Sequence, residues 1–332
     1  MPFIGEIPKY KSLSIVGMAK NTGKTECLNY ILSHYKHHGE ALAITSIGVD
    51  GESADAVYQT AKPEITFYEN MLVQTSEKHF AQRQSTCEIL DVSAQQTALG
   101  RLITARIKTE GKLILSGSSH TQGLLDFVNT MQNLGAKTCL IDGALSRMSL
   151  ASPAIAEAMI LCTGAALSKS LTHLVQKTKF QYDLIRLPLV EDTNLRTQLA
   201  PIEQGVWGID AKLDVHSLGI VSPLLLTLNK HKIKKEYPYI YVAGVVNDAL
   251  LEFLRLQKKH LIIPDFSKVF ASPLAWQMYS KSMGEVRVVR QTKLLGICIN
   301  PWSPEGYILD SIELRKVLSD CLEVGVWDLR FQ

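Results

Sequence analysis

Residues 13–25 read Leu13-Ser14-Ile15-Val16-Gly17-Met18-Ala19-Lys20-Asn21-Thr22-Gly23-Lys24-Thr25, an apolar run that breaks into a loop bounded by glycines. The run suits a short strand, and Lys24 to Tyr35 behind the loop suits a helix. Strand, loop and helix in that order bring backbone N–H groups and a helix N-terminus onto one point, the arrangement that binds phosphate. Gly23 lets the backbone approach closely, Lys24 supplies a cation, and the Thr25 hydroxyl is suited to Mg²⁺. The spacing is unusual, because five residues rather than four separate Gly17 from Gly23. A glycine turn followed by a helix-capping Thr is the plainer alternative.

Working outward, Ala41 to Ile47, Thr138 to Ile141 and Ala158 to Leu161 are further apolar runs of strand length. Helices fit 122–134, with Gly135 as terminator, and 165–177. Short strands that are apolar throughout and separated by helices predict an α/β fold. Its sheet is mostly parallel, doubly wound and covered on both faces. Residues 65–68 and 88–92 fit extra strands that make the sheet mixed, and 112–115 fits another. From 183 to 235 the pattern weakens, and the basic run 230–235 reads as a solvated turn or helix end. A second α/β pattern follows, with strands over 239–246, 260–263, 287–289 and 294–299 and helices over 248–256 and 312–322. The expected division is therefore a nucleotide-binding domain over 1–190, a connecting region over 191–235 and a smaller C-terminal α/β domain over 236–332.

Mg²⁺ on a nucleotide usually takes one or two carboxylates as direct or water-mediated partners. Asp142 follows the strand Thr138-Cys139-Leu140-Ile141, at the edge where open α/β sheets bind ligands. A second carboxylate should follow the second strand, where Asp50, Glu52 and Asp55 stand. Asp55-Ala56 resembles the Asp-Ala that begins a helix in dethiobiotin synthetases, a resemblance that ranks Asp55 with Asp50 ahead of Glu52, with helix capping the rival role for Asp55. The expected metal ligands are thus Thr25, Asp142, Asp50 and Asp55. Gly17, Asn21, Thr22, Gly23, Lys24, Thr25 and Glu26 form the expected nucleotide-binding set, with Lys24, Asp142 and Lys20 as the catalytic candidates. Lys20 either reaches a phosphate or faces solvent. Ser116-Gly117-Ser118-Ser119-His120 should reach the same edge, as substrate ligands or as a helix cap. Arg147 is placed to meet transferred charge or to lie on the surface.

At 332 residues with 46% hydrophobic and 20% charged residues, the chain has the composition of a globular protein with a sizeable core. A net charge of +3 argues against a general nucleic-acid binder and leaves a small anionic ligand open. No apolar stretch approaches the roughly 18 residues of a membrane span, and the N-terminus does not read as a signal peptide, so the expected compartment is the cytoplasm. Six cysteines without CxxC spacing predict buried free thiols rather than a zinc or iron–sulfur site.

The lengthened loop resembles that of dethiobiotin synthetases, and Asp142-Gly143-Ala144 resembles the Glu-Gly-Ala of that group. A second likeness covers residues 15–25, 44–52, 140–147 and the tail Ile299-Asn300-Pro301-Trp302-Ser303-Pro304-Glu305-Gly306-Tyr307. These segments resemble the smaller reactivase subunit found in gene clusters of lysine 5,6-aminomutase. That resemblance implies Mg–ATP as cofactor and ATP-driven repair of an adenosylcobalamin-dependent aminomutase in lysine fermentation, with a MutS-like ATPase subunit as partner. The loop alone leaves three roles open: an ATPase chaperone, an enzyme phosphorylating a small carboxylate, and a regulatory module that binds nucleotide without hydrolysing it. A homodimer is also left open. No Asn-Lys-x-Asp guanine signature is present, so ATP is preferred. The segment around Asn300-Pro301-Trp302 reads either as an independent site or as a rigid turn that packs Trp302.

Overall fold

Every residue of strand β1 (Ser12–Gly17) is buried, as is every residue of β9 (Ala158–Gly164), and the two lie side by side in parallel. Strands buried on both faces have no solvent-facing side to fill with charge, and the polar residues of these two, Ser12, Ser14 and Thr163, are small and buried. The structure, a computed structural model, describes residues 2–37, 41–48, 64–144, 152–282 and 286–330.

Helix α1 (Pro2–Glu6) precedes β1, and α2 (Lys24–His34) connects it to β2 (Leu42–Ser46). Then come β3 (Ile65–Phe67), β4 (Leu72–Ser76), α3 (Glu77–Ala81), β5 (Cys87–Thr97), β6 (Gly100–Ile107) and β7 (Gly111–Leu113). Helix α4 (Thr121–Asn133) leads to β8 (Thr138–Ala144), and β9 is followed by α5 (Leu171–Ile185). The chain later returns to this unit with β15 (Lys293–Asn300), α9 (Ser311–Cys321) and β16 (Val326–Asp328). Among the described residues nine of these strands form one sheet in the order β16-β15-β9-β1-β8-β2-β4-β6-β5, while β3 and β7 do not join it and pair with each other, antiparallel. Pairing is parallel from β16 to β4 and antiparallel across β4, β6 and β5. The chain is thus α/β with a large, mostly parallel, mixed sheet.

Side-chain alternation gives that sheet two apolar faces. Leu13, Ile15, Leu42, Ile44, Leu140 and Ile160 pack in one cluster with Leu28, Ile31 and Leu32 of α2. Ala43, Cys139 and Ile141, pointing the other way, pack with Leu124, Phe127 and Met131 of α4. Asp142 continues the phase of Leu140, so it belongs to the α2 side of β8.

The second unit, Phe180–Gln291, holds α6 (Thr193–Leu199), β10 (Gly205–Ile209), β11 (Val215–Ile220), β12 (Tyr239–Ala243), α7 (Asp248–Leu256), β13 (His260–Ile263), α8 (Pro273–Ser282) and β14 (Val286–Val288). Its sheet runs β11-β10-β12-β13-β14. Asp192 and Asn247 cap α6 and α7 by accepting hydrogen bonds from Leu195 N and Leu250 N, the ordinary work of such residues at a helix start. Lys259 is buried, and its Nζ donates to the carbonyls of Lys234, Lys235 and Tyr237 at 2.7, 3.4 and 2.7 Å. Lys259→Met removes that donor from all three carbonyls. It should destabilise the unit by about 2 kcal/mol, a fall of roughly 8 °C in thermal midpoint, read by calorimetry.

Three expectations are corrected here. Residues 293–300 and 326–328 do not belong with 236–291 but join the first sheet, and 1–179 with 292–332 form one unit. The connecting region 191–235 is not a linker, because it supplies α6, β10 and β11 to the second unit. The helix expected over 165–177 is a short 3-10 turn, Ala165–Leu167, followed by α5.

Candidate functional site

The turn between β1 and α2 is held open by its own backbone. Gly23, the residue before α2, has φ +92°, and Asn21 has φ +60°, a left-handed conformation that glycine and asparagine tolerate best. No side chain caps the helix, so its first N–H groups are left for another acceptor. Thr22 is buried, and its hydroxyl donates to Ala19 O at 2.9 Å, folding the loop onto itself. Met18 N donates to Cys162 O at 2.9 Å, which anchors the start of the loop to β9.

Lys24 lies back over the end of β1. A Cβ added at Gly17 would stand 2.7 Å from both Lys24 Cγ and Thr22 Oγ1, so the glycine makes room for the lysine stem. Its Nζ is 3.6 Å from Asp142 Oδ1, with both side chains about one-fifth exposed. That oxygen is buried and has no hydrogen-bond partner. Parallel register sets Asp142 level with Ile15 on one side and Ser46 on the other. The structure therefore brings together Gly17, Asn21, Thr22, Gly23, Lys24 and Thr25 with Asp142. Lys20 is exposed on the loop. Glu26 pairs with Arg330 at 3.1 Å. Asp50 and Asp55, like Glu52 and Arg147, lie outside the described residues.

The segment after β7 does reach the carboxyl end of β2, since Gly117 N donates to Gly48 O and Gly48 N to Ser118 O, both at 3.0 Å. Ser116 is buried there as a structural knot, its hydroxyl in contact with Thr75, Ser76 and His79. A cavity of about 270 Å³ opens beside it, lined by Thr97, Ser118, Ser119 and His120 among others.

The segment around Asn300, read from the sequence as an independent site or a rigid turn, meets the loop instead, and a second feature of the site was missed. Asn300, at the carboxyl end of β15, donates from Nδ2 to Asn21 O at 2.9 Å, and its Cβ faces Gly23. Its position after an apolar strand was the available signal. The second is a trio of buried thiols, Cys27, Cys162 and Cys298, with Cys27 and Cys298 sulfurs 3.6 Å apart. Donation from Cys27 and Cys298 pulls the Cys162 thiol well below the ordinary range, helped by the charge of Lys24, while burial opposes it. Cys27 and Cys298 are pushed up in turn, chiefly by their bonds to Cys162. Among the described residues no group of three or more His, Cys, Asp or Glu has the geometry to hold a metal ion.

No protein-family model, curated protein or solved structure matches this chain. Among the described residues no helix is long and apolar enough to cross a membrane.

Proposed function

We propose that residues 17–25 form a P-loop that binds the phosphates of a nucleoside triphosphate with Mg²⁺, ATP being preferred, within a doubly wound sheet. The observation that carries this is an uncapped helix N-terminus together with a buried Asp142 oxygen that, among the described residues, accepts no hydrogen bond and has only the Lys24 ammonium, 3.6 Å away, as its ionic partner. A buried polar atom without a partner is costly unless something else satisfies it. β8 and β9, consecutive in sequence, flank β1 on opposite sides, and ligands of open α/β sheets bind at the carboxyl ends where such a reversal occurs.

The donor set suits Mg²⁺, a hard cation that takes hydroxyl, carboxylate and phosphate oxygens. Thr25 and Asp142 are the residues to hold it, with Asp50 or Asp55 as a second carboxylate. When bound, the ion neutralises charge that builds on the phosphates. Lys24 holds the phosphate oxygens, the α2 N-terminus orients them, and Asp142 fixes Lys24 in place.

Isothermal titration of the full chain with ATP, with and without Mg²⁺, tests the proposal. Absence of binding at millimolar ATP would overturn it. In the same titration Asp142→Asn should weaken the apparent affinity for Mg²⁺ by about 10- to 100-fold and leave metal-free ATP binding within about threefold.

The likeness to reactivase subunits supports an ATPase whose turnover drives repair of an adenosylcobalamin-dependent aminomutase. ATP hydrolysis should then rise on adding the inactivated mutase with its MutS-like ATPase subunit, and a flat rate would count against this role. The cavity at Ser118–His120 favours a second reading, transfer of the γ-phosphoryl group to a small carboxylate. Under that reading ADP release would require the metabolite and no protein partner.

A further inference from the structure

A tryptophan left nearly half exposed beside this loop is the next feature to explain. Trp302 is 46% exposed, although indole rings are among the most favourable groups to bury. Its backbone is nonetheless fixed. Trp302 N donates to Asn300 Oδ1 at 3.2 Å, Ser303 N to Tyr307 O at 3.0 Å and Leu309 N to Pro301 O at 2.9 Å. Tyr307 ties the turn to Ala165 O through its hydroxyl. The expectation of a rigid turn holds, but the turn presents the ring instead of packing it away.

The same residues join the ring to the loop. Asn300 bonds Asn21 O and touches Gly23, so the turn begins at the N-terminus of α2. On the other side Arg330 lies over the indole, 5.8 Å from its centroid, and pairs with Glu26 in the first turn of α2. Trp302, Arg330 and Glu26 are thus linked in a row that starts at the residue after Thr25. A nucleotide with its phosphates at Lys24 carries its base a ribose away from them, beyond the loop. An exposed flat ring with a guanidinium over it is suited to stacking such a base.

We propose that Trp302, with Arg330 held by Glu26, is the platform on which the purine base of the nucleotide stacks. This rests on the triphosphate reading of residues 17–25. The loop grips phosphate, and the turn after β15 grips the base. Because the turn is fixed before ligand arrives, little ordering cost opposes stacking.

Binding of Mg–ATP and of inorganic tripolyphosphate to the full chain separates the two claims. The wild type should bind ATP more tightly than tripolyphosphate. Trp302→Ala should weaken ATP by roughly 10- to 100-fold while tripolyphosphate stays unchanged, and Trp302→Phe should keep most of the ATP affinity. An unchanged ATP affinity in Trp302→Ala overturns the platform and leaves the phosphate loop standing. Equal losses for both ligands also overturn it, because they report a disturbed loop rather than a lost stack. If the wild type binds neither ligand, the triphosphate reading fails and the platform fails with it.

Discussion

Lys24→Ala is expected to lower the affinity for Mg–ATP by roughly 100-fold or more while the chain stays folded. A charge-assisted contact to phosphate is worth about 1.5–3 kcal/mol, which alone spans roughly 10- to 150-fold. The substitution also strips Asp142 of the cation 3.6 Å away, leaving a half-buried carboxylate facing an incoming polyanion. The two losses act in the same direction, so the upper part of that range applies. The lysine stem packs on Gly17, where it is partly exposed, so its removal should cost little folding energy. Calorimetric titration of ATP and a thermal melt of the free protein are the measurements. A variant that still binds ATP within about threefold of wild type would remove Lys24 from the site.

Gly164→Ala is expected to destabilise the first unit by about 3 kcal/mol or more. Gly164 pairs with Asn300 at the carboxyl ends of β9 and β15. A Cβ at Gly164 would fall 2.0 Å from Asn300 O and under 3 Å from its backbone C and N. The obstacle is backbone, which has no rotamer to change, so the strands must part. For a unit of this size the thermal midpoint should fall by roughly 6–12 °C. Since Asn300 also holds Asn21 O, ATP affinity should fall alongside stability, unlike Lys24→Ala. A midpoint within about 2 °C of wild type would show that β9 and β15 have more slack than their register suggests.

What could be read from the sequence was local. β1, the loop and α2 lie next to one another, and hydrophobic runs bounded by glycine mark them without help from tertiary structure. Asp142 was legible for the same reason, as the residue that ends an apolar run. Register and partnership were not. Lys293–Asn300 reads as a strand, but nothing in its periodicity says that it pairs with β9, where Gly164 lies 136 residues before its partner Asn300, rather than with nearby β14. β10 and β11 were hidden because two glycines interrupt Gly205–Ile209 and half of Val215–Ile220 is exposed, so neither stands out as a core strand. The thiol trio depends on three elements meeting, since Cys27, Cys162 and Cys298 are more than a hundred residues apart. Trp302 shows the opposite limit: composition identified a turn, but only packing shows that the ring faces outward.

The bond from Asn300 to Asn21 O has a temporal consequence. Its partners are 279 residues apart. At a synthesis rate of about 5–20 residues per second, Asn300 is made roughly 15–55 s after Asn21. Throughout that interval the loop lacks its brace, and β9 lacks the neighbour that covers its outer edge. Residues 180–291, made in between, have their own sheet and core. The proposed nucleotide site, encoded near the beginning, thus becomes whole only after the middle of the chain has been made.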